Sequence, residues 1–196
     1  MTNITFYVPQ DAAALAVGAN DVVAAIQAEA KKRQLIVNII RNGSRGMLWL
    51  ETLVEVVTPE GRVAYGPVEA DDVPGLFDAG WHEGKPEHSL YHGLTEDIPY
   101  LKKQQRLTFA RVGIINQLRL EDYQAHGGYE GLKKALAMTP EKIVEEVTES
   151  GLRGRGGAAF PTGIKWNTVL KAQADQKYIA CNADEGDSGT FSDRMV

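Results

Sequence analysis

The chain has 196 residues, a net charge of −5 and a composition that is 43% hydrophobic and 24% charged, enough for one ordinary soluble domain or two small ones. No apolar run approaches the roughly 20 residues of a membrane span, which excludes direct membrane insertion by a helix, and the acidic balance argues against a nucleic-acid surface. The opening MTNITFYVPQDAA lacks the basic start and apolar block of a secretory signal, and the only cysteine, Cys181, can form no internal disulfide, which together point to a reducing cytoplasm. One thiol also cannot hold an iron–sulfur cluster within this chain.

Taken in order, residues 4–9 (ITFYVP) read as a short strand. Residues 20–34 read as a helix with Asn20 as N-cap, Asp21 at the positive end, and Lys31, Lys32 and Arg33 at the negative end. Val22, Val23, Ile26 and Ala30 line one face of it. Residues 35–41 (LIVNIIR) are β-branched and strand-like. Residues 50–68 read as a hairpin turning at Pro59 to Gly61, and residues 70–80 as a short helix interrupted by Pro74 and Gly75. Strand, helix, strand, hairpin, helix is the thioredoxin-like order with one helix missing, so residues 1–80 are expected to form a thioredoxin-like domain.

Residues 81–105 are polar, broken by Gly84 and Pro86, and without period; they are expected to be an interdomain linker or an extended arm. Three of the chain's histidines, His82, His88 and His92, fall there, and with Pro86 among them they read as incidental exposed groups rather than metal ligands. From Arg106 onward helical patterns dominate. The best marked is TPEKIVEEVTES, with Thr139 as N-cap, Pro140 at the first helical position, Ile143, Val144 and Val147 as its apolar stripe, and Gly151 placed for a left-handed stop. After a glycine loop, TGIKWNTVLKAQ reads as helix and KYIACN as a buried strand that would also bury Cys181.

The glycine loop is the stretch GLRGRGGAAFPTGIKW, which starts at Gly151. Gly154, Gly156, Gly157 and Ala159 match G-x-G-x-x-A, but the dinucleotide fingerprint requires a strand before the loop and a helix precedes this one. A standard Rossmann unit is therefore rejected. The remaining physics is that glycines let a ligand touch the main chain, successive N–H groups bind anions, and the helix start near Thr162 adds its positive end. Arg153, Arg155 and Lys165 add charge. A phosphate-bearing ligand and a plain surface turn both satisfy this pattern. Further on, CNADEGDSGTF places Asp184, Glu185 and Asp187 within four residues, a set suited to a metal, to ribose hydroxyls or to solvation.

SGLRGRGGAAFPTGIKW and KYIACNADEGDSGTFSDR resemble the NADH- and FMN-binding flavoprotein subunit family, which includes the NADH-oxidising subunit of respiratory complex I, the diaphorase subunit of NAD-reducing hydrogenases and the beta subunit of NAD-dependent formate dehydrogenases. RLTFARVG, LEDYQAHGGYEGLKKAL and TPEKIVEEVTESG resemble that family's approach to the loop, so the likeness is strong from Arg106 onward. DSGTFSDR and the fused front domain are most similar to the formate dehydrogenase member. The resemblance implies an α/β chain: a thioredoxin-like domain, then residues 106–196 as the beginning of an FMN- and NADH-binding domain. It implies that Gly154, Arg155, Gly156, Gly157 and Lys165 contact FMN. Asn182, Asp184 and Glu185 would hold the flavin from the other side, with Glu185 as the catalytic carboxylate. Phe160 would pack on the adenine side of NAD(H), and Asp187 would stand where the family often has a nucleotide-contacting glutamate.

The same resemblance makes the chain an N-terminal fragment, inactive alone. Later FMN contacts and the cysteines of a [4Fe–4S] cluster would lie beyond Val196, and the partners would be a molybdenum-containing formate dehydrogenase subunit and an iron–sulfur subunit. A diaphorase subunit of hydrogenase or complex I is the neighbouring reading; a non-catalytic assembly module is the reading from another class. Two departures stand out. Ala159 replaces a frequent third glycine, implying less exposed backbone there, and Thr168 replaces a frequent aromatic, implying a looser adenine clamp. Related front domains carry a [2Fe–2S] cluster, whereas RNGSRGMLW contains no cysteine, so this domain is expected to serve docking or structure.

Overall fold

A computed structural model describes residues 4–181, which divide into two compact units between His126 and Gly127. The first unit is built on a five-stranded sheet in the order β2-β1-β3-β4-β5. Strand β1 (Ile4–Tyr7) lies parallel to β2 (Val37–Ile40) and antiparallel to β3 (Val54–Thr58), which forms a hairpin with β4 (Gly61–Tyr65). The parallel pair is joined by helices α1 (Ala12–Ala16) and α2 (Ala19–Lys32), as a parallel connection requires. This mixed sheet, with α3 (Val73–Asp78) after the hairpin, has the expected thioredoxin-like order.

Sequence and structure differ at the start of α2. The cap is Gly18, in left-handed backbone at φ 91°, because α1 ends at Ala16 and the chain must reverse at once. Asn20 lies inside the first turn, where its side-chain oxygen accepts from Arg41 Nη1 at 2.9 Å. Helix α1 itself, capped by the Asp11 carboxylate on the amides of Ala13 and Ala14, carried no apolar period to announce it. In α3, Pro74 sits in the first turn, where its missing N–H costs no helix bond.

Residues 81–105 are not a linker. Trp81 is fully buried among Phe6 at 5.0 Å, Phe77 at 5.5 Å and Tyr65 at 5.7 Å between ring centroids. The Tyr65 hydroxyl donates to Lys85 O at 2.7 Å, and Tyr91–Leu94 adds strand β5, antiparallel to β4. Trp81, the four strand residues and the buried Thr95, Ile98 and Leu101 hold a segment whose other residues mostly face water, so its composition resembles that of a loop. The histidines are engaged locally: His92 Nε2 lies 2.8 Å from Gly66 O, His88 Nδ1 accepts from Leu90 N, and the half-buried His82 ring packs on Phe77. Burial lowers the His82 pKa from its ordinary value.

Beyond the short helix α4 (Pro99–Lys102), the chain runs back over the sheet as far as α5 (Leu120–Ala125). Gly113 O accepts from Asn42 Nδ2 at 2.9 Å and Arg62 Nη1 at 2.6 Å, while Gln10 Nε2 donates to Asn116 Oδ1 at 2.8 Å. Beneath this strap, Arg45 Nε and Nη2 each donate to one Glu55 oxygen at 2.9 Å, and both side chains are buried. The paired geometry satisfies the carboxylate inside a low-dielectric interior. No helix of the described residues is long and apolar enough to cross a membrane.

Replacing Arg45 with Met leaves the buried Glu55 charge with only the longer contact to Arg62 Nη1, at 3.5 Å, and is expected to cost about 3 kcal/mol in urea unfolding. The double change Arg45→Met with Glu55→Leu is expected to recover most of that loss.

Candidate functional site

The second unit presents its glycine loop between two helices. The short helix α6 (Glu130–Leu136) precedes them. Helix α7 (Pro140–Glu149) begins as the sequence indicates: Thr139 Oγ1 accepts from Lys142 N, and Pro140 lies in the first turn. Its stripe of Ile143, Val144 and Val147 is half-buried. Gly151, at φ 66°, ends it in the left-handed stop. Helix α8 (Thr162–Lys171) follows the loop and packs on α7. Gly163 is buried at that contact, and a Cβ there would come within 2.8 Å of Thr148 Cα and 2.9 Å of its Cβ. Only a bare backbone lets the two helices approach this closely.

The loop itself is closed at its mouth. Gly154 N donates to Phe160 O and Thr162 N to Leu152 O, both at 2.9 Å, forming an antiparallel bridge between Arg153 and Pro161. Arg153 Nη1 donates to Ala159 O at 3.2 Å, so one of the loop's cations braces the loop rather than facing outward. The amide of Gly154 is likewise occupied. Among the described residues, the five successive amides from Arg155 to Ala159 donate to no protein acceptor, and an added Cβ at Gly156 or Gly157 would meet nothing within 4 Å. Gly157 has φ 99° and Ala159 φ 50°. Both are left-handed, a conformation that costs Ala159 strain.

Around this loop, Arg155 is exposed, and Lys165 Nζ stands 5.8 Å from the centre of the Phe160 ring. The first turn of α8 adds its positive dipole end. Phe160 itself is 46% exposed, which leaves ring area for a ligand. Thr168 is exposed, and its hydroxyl donates to Ile164 O at 2.9 Å, tying it to its own helix. The arrangement supplies backbone donors, two formal cations and an aromatic edge on one short segment, which is chemistry suited to a phosphorylated aromatic ligand.

Sequence reasoning thus located the loop, and the amide of Gly154, one of the residues expected to contact FMN, is taken up by the bridge. The closing pair, Leu152 with Thr162, carried no compositional signal. Asn182, Asp184, Glu185 and Asp187 lie outside the described residues. KYIACN, expected as a buried strand, is irregular and exposed up to Cys181, with Tyr178 83% and Ile179 fully exposed. A strand needs a neighbour for its N–H and C=O groups, and among the described residues the second unit offers it none.

Residues 147–196 match the Nuo51 FMN-binding domain family. The chain is 57% identical over 95 residues to the NADP-reducing hydrogenase subunit HndC of Solidesulfovibrio fructosivorans, covering 48% of this chain and 19% of that protein. It is 60% identical over 78 residues to an NADH-quinone oxidoreductase subunit of Rhizobium meliloti (strain 1021), covering 39% and 18%. It is 51% identical over 65 residues to the NAD-reducing hydrogenase HoxS subunit alpha of Cupriavidus necator, covering 33% and 11%. The chain therefore spans under a fifth of the length of these relatives. Among solved structures, a thioredoxin-like [2Fe-2S] ferredoxin from Aquifex aeolicus aligns with 50% of this chain and 98% of its own, at 18% identity and a TM-score of 0.41.

Because Gly163 admits no side chain against Thr148, Gly163→Val is expected to destabilise the second unit by about 1–3 kcal/mol. Thermal unfolding monitored by circular dichroism reads this directly, with Gly131→Ala, where an added Cβ meets nothing within 4 Å, as the neutral comparison.

Proposed function

We infer, from the Nuo51 FMN-binding character of residues 147–196, that this chain supplies the flavin-phosphate end of an NAD(H)-linked diaphorase subunit. The observation that carries the reading is the run of unpaired amides from Arg155 to Ala159, held between a closed bridge and the start of α8. The fit is physical: Gly156 and Gly157 leave open the space that Cβ atoms would occupy, and phosphate oxygens are strong acceptors for clustered N–H groups. When bound, FMN supplies hydride acceptance from NADH and one-electron release.

The chain's own residues bind and orient. The amides of Arg155, Gly156 and Gly157 fix the phosphate, and the Arg155 and Lys165 charges complement it. Gly154 shapes the mouth through its bond to Phe160 O, and Phe160 offers its exposed face to the adenine of NAD(H). Asn182, Asp184 and Glu185 are assigned to the opposite side of the flavin, Glu185 as the carboxylate touching the reacting ring, and Asp187 to the nucleotide.

For a whole protein of the relatives' length, we assign the finer role of beta subunit in an NAD-dependent, cytoplasmic formate dehydrogenase complex. Its partners are a molybdenum-containing subunit and an iron–sulfur subunit, and its [4Fe–4S] ligands lie outside this chain. The wording DSGTFSDR and the fused thioredoxin-like front domain support that choice. The identity to HndC favours a hydrogenase diaphorase as second reading.

The protein purified at its relatives' length is expected to retain FMN and reduce a dye with NADH, and Gly156→Val to weaken flavin retention about tenfold or more by filling the cradle. A flavin-free protein that ignores NADH contradicts the diaphorase reading and leaves an assembly module. Formate-driven rather than hydrogen-driven NAD+ reduction by the purified complex decides the finer role.

A further inference from the structure

We propose that the first unit carries a docking groove, independent of the flavin site, for a protein partner that presents carboxylates around an apolar side chain. An open groove of about 580 Å³ lies beside Ser44 and Gly46, walled by Tyr100, Leu107, Phe109 and Val112. Its apolar side chains are turned outward: Leu107 is 92% and Phe109 67% exposed. Trp49, itself 62% exposed, meets Tyr100 edge-on at 5.2 Å between centroids. Isolated exposed apolar residues are ordinary, but a contiguous cluster on one concavity marks an interaction site, and aromatic side chains with arginine are what interface centres favour.

Charge identifies the occupant. The segment 99–112, PYLKKQQRLTFARV, holds four cations and no carboxylate, in a chain whose net charge is −5. The nearest acids are already engaged, Glu96 with Arg45 and Asp97 with Lys102, each at 2.9 Å. Arg106 donates to Gln104 Oε1 and Arg45 O, neutral acceptors that leave its charge without an ion pair among the described residues, while Arg111 donates from Nε to His126 O and lies over the Tyr123 ring at 4.8 Å. Lys103 makes no ion pair among the described residues. A polyanion such as nucleic acid or an anionic lipid surface would need the cations alone. The outward leucine and phenylalanine beside them call for an apolar anchor within an acidic surface, which a protein supplies.

The arginine–glutamate pair beneath keeps this groove in place. Arg106 Nη2 reaches Arg45 O at 2.9 Å, and a Cβ on Gly113, at φ 76°, would run into the Arg45 side chain. The groove is thus built on the buried network rather than on a free loop.

The test is fluorescence anisotropy of a labelled ten-residue peptide, glutamates flanking a leucine–phenylalanine pair, titrated with the whole chain. Comparison probes are the same peptide with lysine for glutamate, an all-glutamate peptide and a ten-nucleotide single-stranded DNA. The acidic apolar peptide is expected to bind best and to weaken roughly tenfold between about 0.05 and 0.5 M salt. Lys103→Glu and Phe109→Ser, both at exposed positions, are each expected to weaken it about five- to tenfold with the circular dichroism spectrum unchanged. Equal binding of the lysine peptide or the DNA, absence of binding by the acidic peptide, or affinities unmoved by both variants overturns the proposal.

Discussion

The glycine-loop geometry depends on one close approach, Gly163 of α8 against Thr148 of α7, where no side chain fits between the two backbones. That contact fixes the separation of the helix ends from which the loop departs and to which it returns. The bridge between Arg153 and Pro161 then closes the mouth, leaving a short span of chain that cannot pair with itself. Unpaired amides are costly unless water or a ligand serves them. Clustering them at a helix start, in a segment with two added cations, makes an anion the guest that offsets this cost best.

The first unit solves a different problem. Its sheet buries Glu55 and must neutralise it; Arg45 does so from the turn after β2 with paired hydrogen bonds, and Arg62 adds a longer contact at 3.5 Å. Such a pair adds little net stability compared with an apolar replacement, but it dictates geometry. Because the Arg45 backbone and side chain also meet Arg106 and Gly113, the pair fixes the path of the returning chain. The same turn lies in RNGSRGMLW, whose lack of cysteine led us to expect the front domain to serve docking or structure.

Elements that bury one stripe of a regular period were legible in the sequence. Helix α7 is the clearest case, its cap, proline and stopping glycine all acting as their chemistry demands. Strand β5 and Trp81 were not legible, because one anchor residue and a four-residue edge strand leave no period among polar neighbours. KYIACN failed for the opposite reason: its composition is strand-like, but a strand is a relation between chain segments, and no partner stands beside it among the described residues. At the site, the glycines announced the loop. Which amides remain free was decided by the bridge from Gly154 to Phe160, a tertiary pairing that spacing alone does not encode.

Hydrogen exchange of the purified protein at its relatives' length, with and without FMN, tests the central claim most directly. If the loop amides hold the flavin phosphate, exchange at Arg155 to Ala159 slows strongly when FMN is present, while Gly154, already bonded to Phe160 O, changes little. Unchanged exchange across that span, with FMN demonstrably bound, would contradict the account.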